Sequence, residues 1–103
     1  MEVIGLIEIC NLRKEKPTSP CDVKVDRSSV LGNPFPMFNE SKRDLVCEKY
    51  KDYFYNSLIY KPEASKELQR LIAIHNEYGT LRLFCWCFPK RCHGETIKEY
   101  LEK

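Results

Sequence analysis

The spacing of apolar positions changes several times along this chain, and each change marks an element. Val3 to Cys10, VIGLIEIC, is a nearly continuous apolar run, rich in isoleucine and too short for a typical helix. It predicts a buried strand, central in its sheet. The polar stretch 11–20 carries two prolines and reads as a loop. From Cys21 to Asp26 the alternation puts Val23 and Val25 on one face, which predicts a second short strand. Arg27 to Asn39 holds Gly32, Pro34 and Pro36, so neither a helix nor a central strand persists there. The same stretch contains Val30, Leu31, Phe35, Met37 and Phe38, and is expected to pack onto the body of the protein.

The period then becomes helical. Ser41 to Asp44 is a variant capping box with aspartate in place of the usual glutamate or glutamine. Val46, Tyr50, Tyr53, Phe54 and Leu58 follow at helical spacing. Pro62 suits the first position of a further helix, Leu68, Leu71, Ile72 and His75 share one side of it, and Gly79 ends it. His75 reads as a core or boundary residue. Thr80 to Cys87 alternates again, with Leu81, Leu83, Cys85 and Cys87 on one face and Arg82, Phe84 and Trp86 on the other. Trp86 is expected to be at least partly buried, which would make Trp86→Ala cost roughly 3–5 kcal/mol. Phe88 to Arg91 reads as a turn. Glu95 to Leu101 reads as a closing helix that buries Ile97, Tyr100 and Leu101. The order strand, strand, helix, helix, strand, helix predicts a single α/β domain over residues 1–103. Its short sheet of about three strands is packed by three helices.

Composition narrows the functional classes. With 17 basic and 15 acidic residues the formal net charge is +2. That supplies neither the basic face of a nucleic-acid binder nor the acidity of a DNA mimic. Lys90 and Arg91 beside Trp86 and Phe88 make only a small patch for a nucleic-acid strand, so nucleic acid is not expected as the primary ligand. No apolar run approaches the roughly 18 residues of a membrane span, and MEVIGLIEIC lacks the basic start of a signal peptide. The expectation is a cytoplasmic protein with no membrane partner, its thiols kept reduced.

The strongest chemical signal lies near the C-terminus. Cys85, Cys87, Cys92 and His93 place four zinc-type ligands within nine residues. Zinc takes four such ligands tetrahedrally, with metal–sulfur distances of about 2.3 Å. Cys85 and Cys87 share a strand face, and Cys92 and His93 precede a helix whose N-terminus favours a thiolate. The reading is one structural Zn²⁺ stapling the C-terminal turn, with Cys47 or Cys10 as alternatives to His93 for the fourth position. A reactive thiol site and inert buried cysteines remain alternatives. A closed four-ligand site leaves no open position for catalysis, and no HxE, HExxH, P-loop or GxSxG pattern is present. Arg13, Arg27, Asn33 and Arg43 are candidates for gathering around a phosphate, a base or a partner. The alternative is that Asn33 and Pro34 only shape a turn and the arginines are solvated.

Asn11-Leu12-Arg13, Arg27 followed by Gly32-Asn33-Pro34-Phe35, the tyrosine-rich helix and the CWCFPKRCHG stretch from Cys85 together resemble a small domain family of unknown function common in phages and bacteria. Its members read NLR, then GR before GNPF, then CWC-x-P-x-x-CHG and a final helix. This chain departs from that pattern at Asp26-Arg27, where the family has glycine before the arginine, and at Gly79-Thr80-Leu81-Arg82 before the last strand. The resemblance implies an α/β fold and phage association. On that basis the expected activity is stoichiometric binding to a protein partner in the host cytoplasm, with inhibition of CRISPR-Cas9 as the specific guess. The alternative is a nucleotide-handling enzyme or sensor using Arg27, Asn33 and the Cys/His cluster.

Overall fold

The computed structural model describes residues 6–37, 39–87 and 90–102. The chain forms strands β1 (Leu6–Asn11) and β2 (Asp22–Lys24), helices α1 (Arg43–Asn56) and α2 (Pro62–Tyr78), strand β3 (Thr80–Cys85) and helix α3 (Gly94–Leu101). The sheet order is β1-β3-β2, with both pairings parallel. The apolar first strand is therefore an edge, and the last strand takes the centre. Ile7 pairs with Leu81, and Ile9 and Val23 both pair with Leu83.

Alternation along the strands separates two faces. Ile7, Val23, Leu81 and Leu83 meet Tyr50 and Phe54 of α1, Leu68 and Leu71 of α2 and Ile97 of α3 in one core. Burying such side chains is worth about 1.5–3 kcal/mol each. On the other face Cys10, Leu12 and Phe84 form a smaller cluster. Beside it Arg82 stands between its register partners Glu8 and Asp22, makes an ion pair with each, and lies over the Phe84 ring.

The helix ends follow local chemistry where that chemistry is uncontested. Pro62 opens α2, and Gly79 ends it in the left-handed conformation with φ of 72°, its N–H donating to the His75 carbonyl. Within α2, Leu68 and Leu71 are buried, whereas Ile72 is exposed. His75 is half-buried, and its Nε2 is shielded from solvent without a hydrogen-bond partner among the described residues. Ser41 does not cap α1: it sits inside a 3-10 turn, Glu40–Lys42, and its hydroxyl turns to Asn39. The irregular stretch after β2 does pack onto the body. Leu31 is fully buried and Phe35 lies edge-on to Tyr53. Val3, Phe38, Phe88 and Pro89 lie outside the described residues. Among the described residues no helix is long and apolar enough to cross a membrane.

Candidate functional site

Because all three strands run parallel, their carboxyl ends share one edge of the sheet. Past β2 the chain continues into Asp26 and Arg27, and past β3 into Trp86 and Cys87. These residues, the first turns of α1 (Arg43, Val46, Cys47) and the approach to α3 (Arg91, Cys92, His93) surround a cavity of about 370 Å³, completed by Asn33, Phe35, Met37 and Cys85. Of the eight residues singled out from the sequence, seven line it. Arg13 does not. It follows β1, on the far side of β3, where it is exposed and its backbone N–H donates to Asn11 Oδ1. Asp26, Phe35, Met37, Val46, Cys47, Trp86 and Arg91 complete the lining. Asp26 carried a signal in its place beside Arg27, but Val46 and Met37 carried none beyond being apolar.

A tight loop brings Arg27 and Asn33 together. The Ser29 N–H donates to the Asp26 carbonyl at 2.9 Å, and the Gly32 N–H to the Ser29 carbonyl at 2.9 Å. A Cβ on Gly32 would lie 2.4 Å from the Asp26 oxygen and 2.7 Å from the Arg27 Cα, so no side chain fits there. Asn33 then closes an Asx turn, its Oδ1 accepting the Phe35 N–H at 2.9 Å. The loop is tied down from below by the Tyr50 hydroxyl, which donates to the Leu31 carbonyl at 2.7 Å in the core.

The three cavity arginines differ in what holds them. Arg43 donates from Nε and Nη2 to both Glu40 oxygens at 2.9 Å and from Nη1 to the Arg91 carbonyl. Its hydrogen bonds to Glu40 and then to Cys87 hold the guanidinium charge more firmly than usual. The Glu40 carboxyl is lowered to about 2 by hydrogen bonds from Arg43 and Lys90. Arg91 is tied to Asp44 and Glu48. Arg27 has no carboxylate partner among the described residues; its Nη2 makes a 3.3 Å bond to the Phe35 carbonyl. The Asn33 side-chain amide hydrogens likewise have no acceptor among the described residues.

Trp86 closes the rim. Its Nε1 donates to Asp26 Oδ2 at 3.1 Å, linking the loop to the end of β3. Burial pushes the Asp26 carboxyl upward, but its bonds from Ser28 and Trp86 prevail and hold it below the ordinary value. With β3 ending at Cys85, the Trp86 ring leans outward and is 51% exposed. We therefore expect Trp86→Ala to cost about 1.5–3 kcal/mol, the size of one hydrogen bond to a carboxylate, rather than the loss of a core aromatic. A denaturant titration showing a loss of several kcal/mol would contradict this exposed placement.

Sulfur forms the inner wall. Cys85 and Cys92 are buried with their Sγ atoms 3.1 Å apart. The contact with Cys85 and then burial raise the Cys92 thiol far above its ordinary value. Burial also raises Cys47. His93 donates from Nε2 to the Val25 carbonyl, and its ring stands edge-on to Tyr50 with centroids 5.0 Å apart. Burial lowers its pKa. These donors suit zinc chemically, and the Nε2 bond leaves Nδ1 as the ligating atom, as metal-bound imidazoles are commonly held. Geometrically only Cys85 and Cys92 meet. Cys87 is engaged by Arg43, and among the described residues no three donor side chains converge as a metal-holding group.

The family described as a domain of unknown function, DUF4326, matches residues 10–103. No curated protein and no solved structure matches the chain.

Proposed function

The chain belongs to the DUF4326 family, and from that premise we propose that its cavity binds a small anionic ligand of the nucleotide class, as a sensor or nucleotide-handling domain. One observation carries this reading. At the carboxyl edge of a parallel sheet, the guanidinium without a carboxylate partner, Arg27, is held beside the Asn33 amide over an apolar wall of Phe35, Met37 and Val46. Ligands of open parallel sheets sit outside the strand carboxyl ends. Pockets of this kind combine an apolar lining with a few fixed polar groups. Arg27 offers a forked donor to a phosphate, and Asn33 offers two donors to a base or sugar oxygen. The apolar wall takes a planar ring.

Calorimetric titration against nucleoside mono-, di- and triphosphates and inorganic phosphate tests this. We expect saturable binding that Arg27→Ala weakens at least tenfold, the size of one charged hydrogen bond of about 1.5–3 kcal/mol. Arg13→Ala should leave the affinity unchanged, because Arg13 lies away from the cavity. The reading fails if none of the probes binds, or if Arg13→Ala weakens binding as much as Arg27→Ala.

A second reading keeps a structural zinc at Cys85, Cys87, Cys92 and His93 and a protein partner. The His93 bond to the Val25 carbonyl favours it. Elemental analysis of freshly purified, reduced protein should then find about one zinc per chain, and finding none would remove this reading. Cas9 as the partner rests on the resemblance to phage-borne domains and on no cavity residue. That partner would be inhibited in proportion to the molar ratio, and Arg27→Ala would leave the inhibition intact.

A further inference from the structure

We propose that Cys85 and Cys92 form a reversible intramolecular disulfide, an oxidative modification site in the inner wall of the cavity. The inference goes beyond the ligand reading and does not depend on it. The two Sγ atoms lie 3.1 Å apart, and a disulfide bond is about 2.0 Å long. Closing the bond therefore needs about 1 Å of approach. Both residues are buried and line the cavity, so the cavity is the route by which a small oxidant approaches the pair. The other sulfurs are placed differently. Cys87 is turned to Arg43, Cys10 lies on the opposite face of the sheet against Phe84, and Cys21 contacts Ser19 and Asp22. Cys47 lines the same cavity, but no sulfur contact of its own is found among the described residues.

The oxidant is a hydroperoxide. Cys92 precedes α3 and has the Cys85 sulfur against it. The Cys92 sulfur attacks the peroxide, the O–O bond breaks, and the departing hydroxide leaves with the Cys92 thiol proton as one water, so that Cys92 becomes a sulfenic acid. The Cys85 sulfur then attacks the sulfenic sulfur. An S–S bond forms, the S–O bond breaks, and the departing hydroxide leaves with the Cys85 thiol proton as a second water. In total two thiols and one hydrogen peroxide give one disulfide and two waters. A dithiol reductant reverses the change by thiol–disulfide exchange. The closed bond would pin the segment between Cys85 and Cys92, which carries Trp86, Cys87 and Arg91 at the cavity, so the redox state would set how freely that wall moves.

The experiment uses the full chain treated with hydrogen peroxide after chelation, followed by non-reducing peptide mapping and thiol titration. The expected result is a Cys85–Cys92 cross-link, a loss of two of the six thiols, and full recovery with dithiothreitol. Cys85→Ser and Cys92→Ser should each abolish the cross-link, while Cys47→Ser and Cys87→Ser should retain it. Circular dichroism on each variant separates loss of the cross-link from loss of the fold, and the wild-type map stands without any variant. The proposal is overturned by a map showing another pair, such as Cys87–Cys92 or Cys47–Cys87, by irreversible oxidation to sulfinic acid, or by six thiols surviving the treatment.

Discussion

Gly32→Ala should destabilise the protein by about 3 kcal/mol, the upper end of the range for overpacking, and should also weaken ligand binding in the cavity. The new methyl group would sit 2.4 Å from the Asp26 oxygen and 2.7 Å from the Arg27 Cα. Both atoms are backbone, so relief comes only from opening the loop, and opening the loop separates Arg27 from Asn33. The cost arises from close approach and not from backbone conformation, because Gly79 is the glycine with positive φ among the described residues. Gly79→Ala makes the matched control. Nothing lies within 4 Å of its added Cβ, but φ is 72°, so it should cost about 1–2 kcal/mol and leave the cavity affinity alone. Urea titrations and calorimetry on the two variants check both claims. Equal ligand affinity in Gly32→Ala and the parent would show that loop closure does not position Arg27 and Asn33.

Tyr50→Ala should cost about 3–5 kcal/mol, as for other buried aromatic truncations. The ring is fully buried against Tyr53, Phe54 and His93. The hydroxyl can be tested separately. Tyr50→Phe keeps the ring and withdraws the 2.7 Å donor from the buried Leu31 carbonyl. That should cost about 1–3 kcal/mol. Because Leu31 anchors the loop that carries Arg27 and Asn33, Tyr50→Phe should also lower cavity affinity, although Tyr50 does not line the cavity. Thermal unfolding and nucleotide titration on the same sample give the two readouts. A Tyr50→Phe protein as stable as the parent would mean that the loop is held by Leu31 packing alone.

Much of the fold was legible in the sequence because its signals are local. Pro62 and Gly79 bound α2, as their backbone chemistry dictates, and the alternation read from Thr80 to Cys87 is a strand with its two faces as expected, although it stops at Cys85. Local signals failed where a longer-range contact competed. Ser41 has the residue type of a cap, but Glu40 is drawn to Arg43 and Lys90, and the 3-10 turn Glu40–Lys42 takes the place of a capped start. The apolar run ending at Cys10 suggested a central strand. In the edge strand only Ile7 and Cys10 are buried, while Leu6 and Glu8 are exposed, so the run of apolar residues overstated how much of the strand is covered.

The sequence by itself determined the α/β element order, the nearness of Cys85, Cys92 and His93 to one another along the chain, and a turn at Gly32-Asn33-Pro34. Each follows from residue types a few positions apart. Only the tertiary structure decided that these pieces share one cavity. The order β1-β3-β2 seats the end of β2 beside the end of β3 and so brings Arg27 and Asn33 to the sulfur wall, while it leaves Arg13 beyond β1. It also decided the charge each arginine can offer. Glu40 holds Arg43, and Asp44 and Glu48 hold Arg91, a selection made by side chains up to 47 residues apart in the chain. Strand order and such distant pairings depend on which surfaces pack together, and no spacing along the chain encodes that.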